Sequence, residues 1–336
     1  MKLKDIAELA GVSISTVSRV LNSPDGSFGT QEVRERIWKI AKEGGYTPNH
    51  AARDLRSKKS TSMRASTGIA CVYGRHPSRL LSIIGRHVEY QAMEMDSPVL
   101  STYSLEDVND AGTFETLSSI GVNGAVIIGQ PTEKMVALLK ARYRHIVYTG
   151  LQACDDAWDQ VICDAYEVAE RALMYLVECG HRKVGYIGKT EGDRRYQAYL
   201  DITAKCGLVR SQKYVQKADT DPEQCYNAAG HMVEKCGDDL PSAIFCANDM
   251  TSIAVMKALQ EMKIVVPDRI SIISAQNLEI AQFTTPMLTT VNVPGKQMGI
   301  MATKMLVDRM NGGMGLPMKV LVPHELVIRE SVKRLN

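Results

Sequence analysis

Apolar positions recur at helical spacing through the first part of the chain. From residue 68 they give way to short apolar runs separated by amphipathic stretches. In LKDIAELAGVSISTVSRVLN the side chains of Ile6, Ala7, Leu9 and Ala10 fall on one helical face, Gly11 suits the left-handed geometry that ends a helix, and Ser13 can cap the next. The second helix has Val17, Val20 and Leu21 at i, i+3 and i+4 for packing on the first. That turns Ser15, Ser18, Arg19 and Asn22 outward. Thr30 opens a third helix with Val33, Ile37, Ile40 and Ala41 on its buried face, stopped by Gly44 and Gly45. A fourth short run, HAARDLRSKKS, sets His50, Arg53, Arg56, Lys58 and Lys59 around Ala51, Ala52 and Leu55.

An isolated amphipathic helix pair is ordinarily just a solvated face over a small core. Here the outward face is short, polar and carries one arginine, a shape that fits the DNA major groove. Charge distribution supports this. The net charge is only +2, yet residues 1–60 hold 11 Lys or Arg against 7 Asp or Glu, leaving the remainder slightly acidic.

The stretches LKDIAELAGVSISTVSRVLN and RERIWKIAKEGGYTPNHAARDLRSKKS closely resemble the LacI/GalR family of bacterial transcription repressors, and the likeness continues across nearly the whole chain. That resemblance implies a second helix that enters the major groove and a hinge helix, at about 49–57, that folds on DNA and wedges a leucine into the minor groove. By motif position the DNA-binding residues would be Ile14, Ser15, Thr16, Arg19 and Asn22, with Leu55 the wedge and Asn49, Ala52 and Arg56 its neighbours. A wedge of this kind exchanges base unstacking for a bend with more contact area.

Ser57 to Thr67 is polar and without apolar period, and reads as a linker. Beyond it the runs at 68–74, 98–104, 124–129, 145–150 and 161–164 read as buried strands, with helices at 79–93, 109–120 and 133–142 between them. The alternation then restarts: helix 166–179, strand 183–188, helix from about 194 to 206, helix 224–235, strand 242–249, helix 251–262 and the run VVPDRISIISAQN. The expected fold class is therefore α/β: an all-α helix-turn-helix head at 1–60, then a two-lobed body with parallel sheets, like a periplasmic binding protein. The resemblance adds that the chain recrosses near 290 and 320. It makes the lobes discontinuous, 61–161 with 291–320 and 162–290 with 321–336.

Gly188, Lys189 and Thr190 imitate the end of a phosphate-binding loop, but the glycine needed five positions earlier is Lys183. No GxSxG, no HExxH and no cofactor motif occurs, and His181 reads as structural, so an enzyme is not expected. The eight cysteines form no CxxC pair and read as reduced, small apolar residues, and no metal site is expected. No apolar run is long enough to span a membrane, and the N-terminus lacks the apolar stretch of a signal peptide, so the expected location is the cytoplasm.

The resemblance places Arg195 at a helix start facing an effector. Asp249, just past a strand end, would oppose it as acceptor to a sugar's hydroxyls, or serve only as a helix cap. Tyr73, Asp164, Asn248 and Asn277 also follow strands and are candidates for the same cleft. Relatives carry two aspartates where this chain has Gln276 and Asn277, which removes charge-assisted bonds. Trp158 and Phe283 are alternatives for stacking on a sugar or for packing. The run ISIISAQNLEIAQFTTPMLTTV resembles members that control galactoside use, and the methionine-rich helix 295–310 reads as core or dimer surface.

The resulting expectation is a homodimeric repressor of a palindromic operator, controlled by a galactose-type sugar or galactoside. The alternatives are a phosphoprotein co-repressor in place of the sugar, or a cytoplasmic sugar-binding or sugar-modifying protein.

Overall fold

The computed structural model describes residues 3–22, 30–44, 68–108, 111–118, 121–219, 221–313 and 315–335. Asn49, Ala52, Leu55, Arg56, the hinge segment and the linker lie outside the described residues.

The head has helices α1 (Leu3–Ala10), α2 (Ile14–Asn22) and α3 (Gln31–Glu43). Ile6, Ala7, Ala10, Val17, Val20, Ile37 and Ala41 form its core, with Val12, Val33 and Ile40 packed at the margin. Gly11, at φ +65°, makes the corner between α1 and α2. Ser13 caps α2: its Oγ accepts the Thr16 N–H at 3.1 Å and its carbonyl accepts those of Thr16 and Val17. Leu9 departs from the expected buried face and is 64% exposed. A three-helix core this narrow is filled by Ile6 and Ala10, one turn apart, and Leu9 falls at its edge.

The body contains two six-stranded sheets. The first has the order β2 (Val99–Ser104), β1 (Ile69–Tyr73), β3 (Gly124–Ile128), β4 (His145–Gly150), β5 (Asp159–Ile162) and β11 (Lys319–Leu321), all parallel. The second runs β7 (Val215–Lys217), β6 (Val184–Gly188), β8 (Ala243–Cys246), β9 (Ser271–Gln276), β10 (Thr289–Asn292) and β12 (Glu325–Val327). Only β12 is antiparallel there. Helices cover both faces of each sheet, so the central strands are apolar on both sides. Alternation divides them cleanly: Cys71, Val126, Ile128 and Val147 join one cluster with α4 (Arg79–Glu94) and α11 (Gly295–Met310), while Val72, Ala125, Ile127 and Tyr148 join another. That second cluster contains Phe114 of α5 (Ala111–Leu117) and Leu139 of α6 (Glu133–Arg142).

The second sheet is covered by α7 (Ala165–Glu178) and α8 (Arg194–Lys205) on one face, and by α9 (Pro222–Cys236) and α10 (Asp249–Glu261) on the other. Of the four methionines of α11, Met298 and Met305 are buried, Met310 is part-buried and Met301 is exposed.

Three connections join the two α/β units. One leaves the carboxyl end of β5 through Cys163 and Asp164 to α7, a second leaves β10 through Val293 and Pro294 to α11, and the third leaves β11 through residues 322–324 to β12. Glu325, at the start of β12, pairs with Asn292 at the carboxyl end of β10. All three crossings therefore lie at carboxyl ends of parallel strands, the side on which open α/β sheets have their ligand crevice.

Candidate functional site

On the head, Val17 and Val20 bury the inner side of α2, and this leaves Ile14 half exposed and Ser15 and Arg19 exposed, with Thr16 and Ser18 part-buried. Thr16 also shares a 2.8 Å hydroxyl contact with Ser13, so it secures the first turn of the helix. Asn22 ends α2. The exposed groups are a branched apolar side chain, a hydroxyl and a guanidinium on one short helix. These can meet a thymine methyl, a base edge and a guanine respectively.

In the body, each sheet reverses its strand order beside its first strand, between β1 and β3 in one and between β6 and β8 in the other. Open α/β sheets bind ligands at such points. Glycines let the backbone close there. A Cβ on Gly74 would lie 2.4 Å from the Gly129 carbonyl oxygen, and one on Gly188 would lie 2.4 Å from Cβ of Ala247.

Arg195 stands at the reversal in the second sheet. Asp193 caps α8, accepting the Arg195 backbone N–H at 2.9 Å, and its two carboxylate oxygens also take Nε and Nη2 of the same arginine at 2.9 and 2.6 Å. Nη1 donates to the Ala247 carbonyl oxygen at 2.7 Å. Burial opposes both charges, but each stabilises the other. Asp193 stays below the usual carboxylate range and Arg195 above the usual guanidinium value. Three of five N–H donors are thereby used, which fixes the plane of the guanidinium and leaves two N–H donors over. Asp193 was not singled out in the sequence; an acidic residue immediately before a helix-opening Arg-Arg pair is the signal that could have found it.

The other expected cleft residues divide. Asp164 caps α7, accepting the Tyr166 N–H at 2.8 Å, and pairs with Arg194 at 3.1 Å, so it sits at the first crossing already engaged. Asn248, rather than Asp249, caps α10, its Oδ1 accepting the Thr251 N–H at 2.9 Å. Asp249 is fully buried. Its carboxylate accepts from Ser274 Oγ at 2.5 Å, Thr290 Oγ1 at 2.7 Å and the Leu278 N–H at 2.5 Å, tying β9 and β10 to the start of α10. Burial pushes Asp249 up and these donors counter it only in part. The Asp249 side chain is thus turned toward these three donors inside the unit.

Asn277 follows Gln276, and both have positive φ, +53° and +117°. Its Oδ1 accepts from Arg329 at 2.8 Å and its Nδ2 reaches Asn292 at 3.3 Å. These two amides therefore occupy a strained corner between β9 and β10. Tyr73 does not extend from its strand end into open space. Its hydroxyl lies where a Cβ on Gly85 would be, so the ring packs over α4. Trp158 is 5% exposed and precedes β5, at the end of the first sheet away from the crevice. Phe283 is 73% exposed.

The first sheet contributes groups that sequence reasoning missed. The His76 N–H, beyond β1, donates to Glu106 at 2.6 Å, and Tyr148 donates to Gln130 at 3.1 Å. These residues come from separate strands and loops of the chain and have no shared motif. His181 is structural, with Nδ1 2.9 Å from Ser242 Oγ and Nε2 3.0 Å from the Lys333 carbonyl oxygen. All eight cysteines are free thiols, six of them buried. Among the described residues no group of three or more His, Cys, Asp or Glu is placed to hold a metal ion. Nor is any helix long and apolar enough to cross a membrane.

Comparison with known proteins bears on both units. Residues 2–49 match the model for bacterial regulatory proteins of the lacI family, and residues 173–332 match the periplasmic binding protein-like domain. The chain is 28% identical to the HTH-type transcriptional repressor MelR of Bacillus subtilis (strain 168), over 98% of this chain and 97% of that protein. It is 26% identical to the repressor PurR of Actinobacillus pleuropneumoniae serotype 5b (strain L20), over 99% of each. Its fold is similar to that of the Lac repressor dimer bound to operator and the anti-inducer ONPF, at a TM-score of 0.76, 20% identity and 99% coverage of both chains. A complex of the transcriptional regulator CelR with cellobiose superposes at 0.69, with 22% identity and 98% and 99% coverage. With a lacI-type head ahead of a binding-protein-like body, the chain belongs to the LacI family of DNA-binding transcriptional repressors.

Proposed function

We propose that this protein works as a homodimer in the cytoplasm, holding a palindromic operator through α2 and the 49–57 hinge and releasing it when a small sugar occupies the crevice. Two-fold heads match two-fold half-sites. The exposed Tyr90 and Met93 on α4, at 66% and 69%, supply apolar surface for such pairing.

The observation that carries the effector part is the Arg195 fork, held by Asp193 and Ala247 with donors still open at the strand-order reversal. Sugar hydroxyls need fixed donors and acceptors in a concave, dry site, and Asn248 and the neutral Gln276 and Asn277 offer both without charge. The galactose-type or galactoside assignment rests on the run ISIISAQNLEIAQFTTPMLTTV. We assign the lobes as 61–161 with 291–320 and 162–290 with 321–336, hinged at the three crossings. Opposing preferences of sugar and DNA for two arrangements of the lobes then give induction.

A thermal-shift screen with neutral mono- and disaccharides tests the effector part. A ligand at a hundred times its Kd stabilises the folded state by about 2.7 kcal/mol. A rise in Tm with a galactose-type sugar supports the assignment, and none with any sugar contradicts it.

A further inference from the structure

At the end of the first sheet away from the crevice, the amino ends of β4 and β5 open into a cavity of about 360 Å³. His145 and Gly150 bound β4, so a strand length of about 17 Å separates this cavity from the carboxyl ends. Lys140, Arg144, His145, Trp158, Asp159 and Arg309 are among its lining residues.

Asp159 is already satisfied. It accepts from Arg309 Nε and Nη2 at 2.8 and 2.6 Å and from the Met318 N–H at 2.7 Å, which cancels the only carboxylate of that lining. Lys140 pairs with Asp155 at 2.7 Å. Arg144 differs. Only its backbone N–H is bonded, to the Asn123 carbonyl, and its guanidinium meets no acceptor among the described residues. The His145 ring and the Trp158 indole N–H are likewise unmatched there. Burial first, and then Arg144 and Arg309, hold His145 below its ordinary value.

We propose that this cavity binds a small phosphate monoester, with its phosphate on Arg144 and His145 and its carbon frame against Trp158. A planar guanidinium matches two phosphate oxygens at once. The volume falls in the range of small-molecule sites. The place is also a consequential one. Asp159 opens β5 and Met318 directly precedes β11, and both strands lead into crossings between the units. The site is separate from the crevice and does not depend on the sugar assignment.

The two tryptophans are Trp38 and Trp158, so a full-length Trp38→Phe chain reports from Trp158 alone. Its emission is followed during titration with glucose 6-phosphate, with inorganic phosphate, and with sodium chloride at matched ionic strength. A saturable change is expected for the sugar phosphate, at a midpoint roughly tenfold or more below that for inorganic phosphate, and none for chloride. Arg144→Gln raises the midpoint by about tenfold or more. Arg144 is exposed and its guanidinium makes no hydrogen bond or ion pair with a described residue, so this variant keeps the parent's Tm. No saturation, equal midpoints for both phosphates, or an unmoved midpoint in Arg144→Gln would overturn the proposal.

Discussion

Arg195, in the first turn of α8, donates to the carbonyl oxygen of Ala247 at the end of β8, 2.7 Å away across the point where the second sheet reverses its strand order. One side chain thus ties the start of α8 to the end of β8 and fixes the direction of the donors left over. Replacing it by Ala strands the 9%-exposed Asp193 carboxylate and frees Ala247. The expected result is loss of the sugar response, operator affinity within about twofold of the parent, and a stability loss of about 3 kcal/mol. Operator binding with and without sugar, alongside urea unfolding, checks all three. Equal loss of both binding activities would make Arg195 a folding residue instead.

Asp249 behaves differently because it ties β9 and β10 to the start of α10 from a fully buried position. Asp249→Ala leaves Ser274, Thr290 and Leu278 without their acceptor and is expected to cost about 3 kcal/mol, or roughly 10 °C in Tm. Asp249→Asn, which keeps the shape and one acceptor, is expected to lower Tm less and to retain the sugar response. Loss of the response at unchanged Tm would put Asp249 on the ligand after all.

Arg19 is the one cation on the outward side of α2. Arg19→Ala is expected to weaken binding to a selected palindromic site by about 1–3 kcal/mol and to relax preference at one base pair in each half-site. Selection of sites from a random pool by parent and variant reads both effects. A uniform loss with no change in preference would place Arg19 on the phosphate backbone.

His181 links pH to stability. Burial lowers it from its ordinary value of 6.5, against a smaller opposing effect of the Lys333 carbonyl. The unfolded chain therefore takes up this proton first as pH falls. Stability from this group is fully present above about 6.5 and declines below it toward the folded value. Urea unfolding between pH 5 and 8 should show a slope that His181→Asn flattens. An identical slope in the variant would assign the dependence to other groups.

Much of the architecture was readable because long elements carry strong periodicity. β4, α6 and α11 begin and end where the apolar pattern places them, and the core positions of α3 follow from their spacing. β7, β11 and β12, three residues each, are too short to show a period. The site was legible only where a motif pointed to it. Arg195 is named as a candidate by the resemblance, but its partners Asp193 and the Ala247 carbonyl are not, since a backbone acceptor has no sequence signature. Tyr73 and Asp249 were placed at the right strand ends, yet side-chain direction there depends on what lies alongside: the gap at Gly85 draws Tyr73 onto α4, and three donors draw Asp249 inward. His76 and Glu106, 30 residues apart, meet only through the sheet.

The most direct measurement is fluorescence anisotropy of a labelled palindromic operator titrated with the full-length chain, with and without saturating galactose-type sugar at fixed salt. Linked sites of this kind predict a fall in affinity of about 5- to 150-fold on adding sugar. An affinity that no sugar moves would contradict the account.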